Sequence, residues 1–180
     1  AGNADYDAAP QVSSSTPATK AVQTITVNTP APASSAYNSV FTVAATASSG
    51  LSVAITTSGG CTNVGNVVTM TSSTVACTVN YDQAGNADYD AAPQVSSSTT
   101  ATKAAQTITV NTPAPASSAY NSTFSVTATA SSGLSVAITT SGGCSGSGSG
   151  SATITMTSGT TACTVNYDQA GNADYDAAPQ

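Results

Sequence analysis

The sequence contains no histidine, no tryptophan and no arginine, and only 6% of its 180 residues are charged. Without histidine, the chain cannot form a Ser-His-Asp or Cys-His catalytic group or an imidazole metal site. Its two basic residues are Lys20 and Lys103, whereas all eight acidic residues are aspartate, and the net charge is −6. This balance offers no basic surface to nucleic acid. We therefore expect a protein that is not an enzyme and has no nucleic-acid partner.

Long apolar runs and amphipathic helix patterns are also missing. No stretch reaches the roughly 18 consecutive apolar residues that span a bilayer, and no segment is rich in the Leu, Glu and Lys that favour helices. The 39% of residues that are hydrophobic are largely Ala and Val, mixed with Ser and Thr. Val and Thr favour strands. The composition predicts an all-β protein without membrane insertion.

The sequence repeats itself almost verbatim. Residues 1–83 recur as residues 84–169, and residues 170–180 begin a third copy with AGNADYDAAPQ, so the chain has the form of a tandem array. The copies differ in length at one place, where a Ser-Gly run after Cys144 replaces the segment after Cys61. We expect this run to be a surface loop without strands, because Gly/Ser tracts of variable length are typical of loops.

Each repeat contains short segments with the alternation typical of β-strands. In the first repeat they begin at Gln23, Val40, Leu51, Val67, Ala76 and Gln94. Clusters of Gly, Pro, Asn and Ser separate them at intervals of roughly 8–12 residues, which predicts one β-sandwich per repeat. Proline has no N–H to donate to a sheet, so the TPAP segments at residues 29–32 and 112–115 mark strand ends or kinks in edge strands.

The segments QTITVNTPAPASSAYNSVFTVAATASSGLSVAITTSGGC and TMTSSTVACTVNYDQAGNADYDAAPQ resemble the bacterial immunoglobulin-like (Ig-like) repeats of very large secreted and surface proteins. The resemblance covers essentially the whole chain and implies tandem extracellular Ig-like β-sandwiches that act as stalks, adhesins or fibres. It also implies the domain limits. Residues 1–20 close a preceding repeat, residues 21–103 form the first Ig-like domain, and residues 104–180 form a second that lacks its last strand.

The four cysteines fall as one pair per repeat, Cys61 with Cys77 and Cys144 with Cys163. Two cysteines without histidine or CxxC spacing make a poor zinc site, so we predict a disulfide within each domain. A disulfide that closes a loop of this length stabilises the folded state by roughly 3 kcal/mol. Its presence implies an oxidising, extracellular location. The two cysteines of a pair are closer in sequence than those of the inter-sheet disulfide of antibody domains.

All aspartates lie in one recurring sequence motif, of which YDQAGNADYD is the full form. Alternate residues of an extended segment share one face, and carboxylate and amide oxygens placed in this way suit Ca²⁺. The candidate calcium ligands are Asp82, Asn86, Asp88 and Asp90 in the first repeat and Asp168, Asn172, Asp174 and Asp176 in the second. The alternative is a solvated, negatively charged turn that protects sheet edges. No other cofactor is implied.

Near-identical repeats present the same surface many times, which favours a structural role. We expect a repeating unit of an extracellular fibre or cell-surface stalk, whose partners are copies of itself joined head to tail. Either the chain continues covalently, or residues 12–20 of one copy supply the strand that residues 104–180 of another lack. The alternative is an adhesin that contacts glycan or another cell surface through aromatic side chains such as Tyr37 and Phe41, which otherwise fill the core.

Overall fold

The computed structural model describes residue 2 and residues 4–179. This part of the chain is all-β and contains no helix. Its sixteen strands fall into two sets, and every strand pairing is within one set. The first set lies in residues 21–103, called here the N-terminal half, and the second in residues 104–179, the C-terminal half. A search of the described residues found no helix with the length and hydrophobicity needed to cross a membrane.

The N-terminal half contains nine strands. They are β1 (Ile25–Thr29), β2 (Ser34–Ala36), β3 (Val40–Thr42), β4 (Ala44–Ala47), β5 (Ala54–Gly59), β6 (Cys61–Val64), β7 (Val67–Met70), β8 (Cys77–Asp82) and β9 (Val95–Thr102). One sheet pairs β1 with β4, a second has the order β3-β7-β6, and a third has the order β2-β9-β8-β5. All pairs are antiparallel except β2 with β9. Only Val43 separates β3 from β4, so the first two sheets are adjacent along one stretch of chain.

The core of the N-terminal half is built from residues of all three sheets. Successive residues of a strand point to opposite faces, and in β8 the residues Cys77, Val79 and Tyr81 are all buried. They belong to one apolar cluster with Val68 and Met70 of β7. Because β7 and β8 lie in different sheets, both sheets contribute side chains to this cluster.

The C-terminal half contains seven strands in one sheet. They are β10 (Ile108–Thr112), β11 (Thr123–Ala130), β12 (Ala137–Gly142), β13 (Cys144–Ser145), β14 (Gly148–Ser149), β15 (Ser151–Met156) and β16 (Cys163–Asp168). Their order is β10-β11-β15-β14-β12-β16, and β13 also pairs with β15. Val126, Ile138 and Ile154 belong to the larger of two apolar clusters in this half, and Val136 belongs to the smaller one.

The expectation of a strand-free Ser-Gly loop after Cys144 is wrong. The run contains β13 and β14, and β14 pairs with both β12 and β15. Main-chain hydrogen bonds need no particular side chain, and small residues allow the strands to approach closely. A Cβ atom added at Gly148 would lie only 1.9 Å from the Ser151 carbonyl oxygen. The TPAP segments, by contrast, end strands as predicted, since β1 ends at Thr29 and β10 at Thr112.

Each half contains one disulfide, Cys61–Cys77 and Cys144–Cys163, with Cα atoms 5.3 and 5.2 Å apart. In the N-terminal half this bond joins β6 to β8, which belong to different sheets. The short spacing therefore still connects two sheets, because the chain passes from one to the other between the cysteines. The two disulfides indicate an oxidising environment.

Candidate functional site

Strands β8 and β16 have the same sequence, CTVNYD, but different neighbours. β8 pairs with β5 along one edge and with β9 along the other. β16 pairs with β12 in the register that β8 adopts with β5, whereas no strand in the described part of the chain pairs with its outer edge. An edge of this kind is a ready template for another strand.

The open edge leaves the core of the C-terminal half partly uncovered. Cys77 and Val79 in β8 are both 0% exposed, whereas their counterparts Cys163 and Val165 in β16 are only half-buried. In the N-terminal half β9 covers the core, and its Thr99 is 0% exposed. Identical side chains of β8 and β16 therefore differ in burial because no described residue pairs with β16 as β9 pairs with β8.

A groove of about 410 Å³ lies at the start of β16. It is lined by residues 114–118, by Phe124 and Met156, and by residues 158–163. Of these, Ser117 and Ser118 are the counterparts of the first two residues of β2, which runs parallel to β9. The groove therefore lies where a strand equivalent to β9 would run.

Two contacts of β9 identify this position more closely. The hydroxyl of Thr99 donates to the carbonyl of Pro32, at 2.7 Å, and the main-chain N–H of Ala31 donates to the hydroxyl of Ser97, at 3.2 Å. The counterparts of the two β1–β2 loop residues are Ala114 and Pro115, and both line the empty groove.

The hydroxyl group of Tyr167, in β16, is an unpaired polar atom at the same open edge. Its counterpart Tyr81 shares a hydrogen bond of 3.1 Å with the hydroxyl of Ser97. The Tyr167 hydroxyl is buried and has no hydrogen-bond partner within the described residues. Burial raises the pKa of Tyr167. A buried polar group without a partner costs about 1–3 kcal/mol, so this position favours a neighbour that offers a hydroxyl.

A smaller apolar pocket of about 250 Å³ continues the open edge beyond Tyr167. Ile108 and Val110 of β10, Tyr167 and Pro179 form its apolar lining, and Asn166 also borders it. In the N-terminal half, the equivalent residues of β1 belong to the same core as Val95, the first residue of β9. The pocket therefore lies at the position that corresponds to Val95 in the N-terminal half.

The candidate calcium ligands lie in a segment of tight turns, called here the acidic segment (residues 82–90, repeated at 168–176). The side-chain oxygen of Asn86 accepts the main-chain N–H groups of Asp88 and Tyr89, at 2.8 and 2.9 Å. Asp82 accepts a hydrogen bond from Gln94, at 2.8 Å. Where the chain is described, no three His, Cys, Asp or Glu side chains are grouped so that they could hold a metal ion. The calcium site stays a prediction.

The same turn is present in the second copy, where Asn172 accepts the N–H groups of Asp174 and Tyr175, both at 2.8 Å. Sequence reasoning missed the residue that anchors the segment. Gln106, only 3% exposed, donates to the side chain of Gln169 and to the main-chain carbonyl of Asp176, at 3.1 and 2.6 Å. The equivalent Gln23 was visible in the sequence only as the polar start of a strand.

The two halves meet at the second acidic segment. The rings of Tyr37 and Tyr175 lie edge to face, with centroids 5.6 Å apart and an interplanar angle of 85°. The hydroxyl of Ser73 donates to the carbonyl of Ala173, at 2.7 Å. Lys103, which follows β9 directly, donates to the carbonyl of Asn172, at 2.6 Å. Strand β9 thus completes the N-terminal half and leads straight into this junction.

Comparison with known protein families, with curated proteins and with solved structures found no match to this chain.

Proposed function

We propose that this protein is structural, a repeating unit of an extracellular fibre or cell-surface stalk that is built from tandem Ig-like β-sandwiches and assembles head to tail. The observation that carries the proposal is the open edge of β16, beside a groove whose counterpart in the N-terminal half is filled by β9. Such an edge binds an added strand through main-chain hydrogen bonds, while side-chain pockets provide specificity. An edge and a matching strand sequence at opposite ends of one unit produce a polar, open-ended assembly.

The strand order of the N-terminal half supports the Ig-like part of the proposal. The first stretch of chain is divided between sheets, since β1 pairs with β4 and β2 pairs with β9. Ig-like sandwiches consist of two packed β-sheets, and a disulfide often joins the sheets. Here the disulfide is Cys61–Cys77. The disulfides also support an extracellular location, because such bonds persist in oxidising environments.

Electron microscopy and light scattering of the purified chain at rising concentration test the proposal. We expect linear polymers whose length grows with concentration, because association of copies follows mass action. The matched control carries the strand sequence VSSSTTATK appended after Gln180, so that each copy fills its own groove. This variant should stay monomeric. A parent chain that also stays monomeric at every concentration contradicts the proposal, and specific binding to a glycan array without assembly would favour the adhesin alternative.

A further inference from the structure

We infer that residues 12–20 of a second copy fill the groove of the C-terminal half in the register of β9, and that the contact between the two halves is repeated between copies. This inference rests on the proposed head-to-tail assembly and names the segment and the side chains that form it.

Residues 12–20 have the sequence of β9 and the following lysine with one change, Pro17 in place of Thr100. They form no strand, and Val12 is 93% exposed. The equivalent Val95 packs against the core of the N-terminal half. Among the described residues there is therefore a strand sequence without a sheet and a sheet edge without a strand, and β9 in the N-terminal half shows how the two would fit together.

The register follows from the pairing of β9 with β8. The core-facing pairs of these strands are Val95 with Tyr81, Ser97 with Val79 and Thr99 with Cys77. Since β16 has the sequence of β8, the equivalent pairs between copies are Val12 with Tyr167, Ser14 with Val165 and Thr16 with Cys163. A shift by one residue would turn all three side chains of the added strand away from the core.

This register gives Tyr167 the partner that it lacks. Ser14 takes the place of Ser97, whose hydroxyl lies 3.1 Å from the hydroxyl of Tyr81. The buried Tyr167 hydroxyl would then share a hydrogen bond with Ser14 of the second copy. The unpaired group becomes a determinant of register, because an apolar side chain at this place would leave it unsatisfied.

Two more side chains of the second copy find matching surfaces. Thr16 reaches the carbonyl of Pro115, as its counterpart in β9 reaches the equivalent proline. Val12 enters the apolar pocket formed with Ile108 and Val110. Together with Ser14, these residues fill the groove with the side chains that fill its counterpart in the N-terminal half.

Pro17 weakens this contact in a predictable way. In β9 the N–H of Thr100 donates to the carbonyl of Ala33, at 3.0 Å. Proline has no N–H, so the added strand makes one main-chain hydrogen bond fewer than β9 does. Pro17→Thr should therefore tighten the association of copies about two- to tenfold.

The junction between the halves supplies a second contact. Residues 12–20 lead to Ala21, whose N–H donates to the main-chain carbonyl of Asp88, at 2.8 Å, and which forms a β-bridge to Tyr89. Ala104 forms the same bridge to Tyr175, the ring on which Tyr37 packs. The counterpart of Tyr37 is Tyr120, which is 60% exposed. Tyr120 of one copy should therefore pack edge to face on Tyr89 of the next.

Disulfide trapping between two variants of the full chain tests the register. Asn166 should lie opposite Ser13, because Asn80 pairs with Ser96. Directly opposed Cα atoms of antiparallel strands lie about 4.5–5.5 Å apart, within the range that a disulfide bridges. We would mix an Asn166→Cys chain with a Ser13→Cys chain, oxidise with oxidised glutathione and identify linked peptides by mass spectrometry. The control partner is Ser14→Cys, whose side chain faces the core.

A link between positions 13 and 166, without one between 14 and 166, is the expected result. Fibres that form without that link, or with the Ser14→Cys link instead, overturn the register while the proposed fibre function stands. Absence of any assembly overturns both.

Association constants provide the second measurement. Val12→Ser should weaken assembly about tenfold or more, because it removes a buried apolar side chain. The matched control Val64→Ser changes a valine that is 85% exposed in the β6–β7 hairpin and should have no effect. Equal effects of the two variants would contradict the inference.

Discussion

At the scale of single residues, Tyr81 and Tyr167 occupy equivalent positions but differ in the hydrogen bonding of their hydroxyl groups. Both stand in the sequence CTVNYD and face a core. Tyr81 shares a hydrogen bond with Ser97, whereas the Tyr167 hydroxyl is buried and unpaired in the described chain. The difference comes from residues far away in sequence, because only one of the two strands has β9 beside it.

Replacing these tyrosines by phenylalanine should therefore have opposite effects on stability. Tyr167→Phe removes an unsatisfied buried hydroxyl and should raise the free energy of unfolding of the unassembled chain by about 1 kcal/mol. Tyr81→Phe removes a satisfied hydroxyl and should lower it by about 0.5–1.5 kcal/mol. Urea denaturation at a concentration too low for assembly measures both. Effects of the same sign would contradict the environments described for these residues.

The raised pKa of Tyr167 predicts a pH dependence of stability. Burial raises this pKa above the ordinary value of 10.0. At a pH between the pKa of Tyr167 in the unfolded chain and its higher pKa in the folded chain, the unfolded chain has lost the proton and the folded chain has kept it. The free energy of unfolding therefore falls as pH rises through this range. Urea unfolding between about pH 8 and about pH 11 should show this fall. Tyr167→Phe should reduce this fall.

The acidic segment leads to a prediction about calcium. If Asp82, Asn86, Asp88 and Asp90 hold the ion in the folded state alone, binding stabilises that state by about 2.7 kcal/mol at a calcium concentration 100 times the dissociation constant. The melting temperature in millimolar calcium should then be higher than the melting temperature in the presence of a chelator. Asp88→Asn combined with Asp174→Asn should reduce the difference. Identical melting of the parent chain in both conditions would contradict the site and leave the solvated turn.

At the scale of elements, each disulfide links the start of β16 or β8 to a strand earlier in its half. The cysteines are separated by 16 residues in the first half and by 19 in the second. Cys61→Ala combined with Cys77→Ala should lower the free energy of unfolding by about 3 kcal/mol, chiefly because the unfolded chain gains freedom. Chemical denaturation measures the loss. A loss well below 1 kcal/mol would show that the bond contributes little.

At the scale of the whole molecule, the open edge and the matching segment make the unit polar. A chain without residues 1–20 keeps the groove but has no strand to donate, and a chain with VSSSTTATK appended has the strand but no open groove. Each alone should be monomeric, whereas an equal mixture should form a complex of one copy of each. Sedimentation analysis distinguishes this from larger assemblies. Failure of the mixture to form the pair would contradict the polar arrangement.

Much of the fold was accessible from sequence because its signals are local. The strand segments that begin at Gln23, Val40, Leu51, Val67, Ala76 and Gln94 each contain observed strands. Proline ended β1 and β10, and the two cysteines of each repeat are bonded. Alternation, proline and cysteine spacing act within a few residues or within one repeat, so reading along the chain was sufficient.

The open site was less accessible, because its features depend on which strands become neighbours. The tripeptide Ser-Ser-Ala forms β2 at residues 34–36, where β9 lies beside it, but no strand at residues 117–119. The Ser-Gly run carries no strand propensity, yet β14 pairs on both sides. The sequence by itself determined the all-β composition, the repeat and the strand segments. Only the tertiary structure decided where the edge stays open, since strand pairing satisfies main-chain groups across long sequence distances.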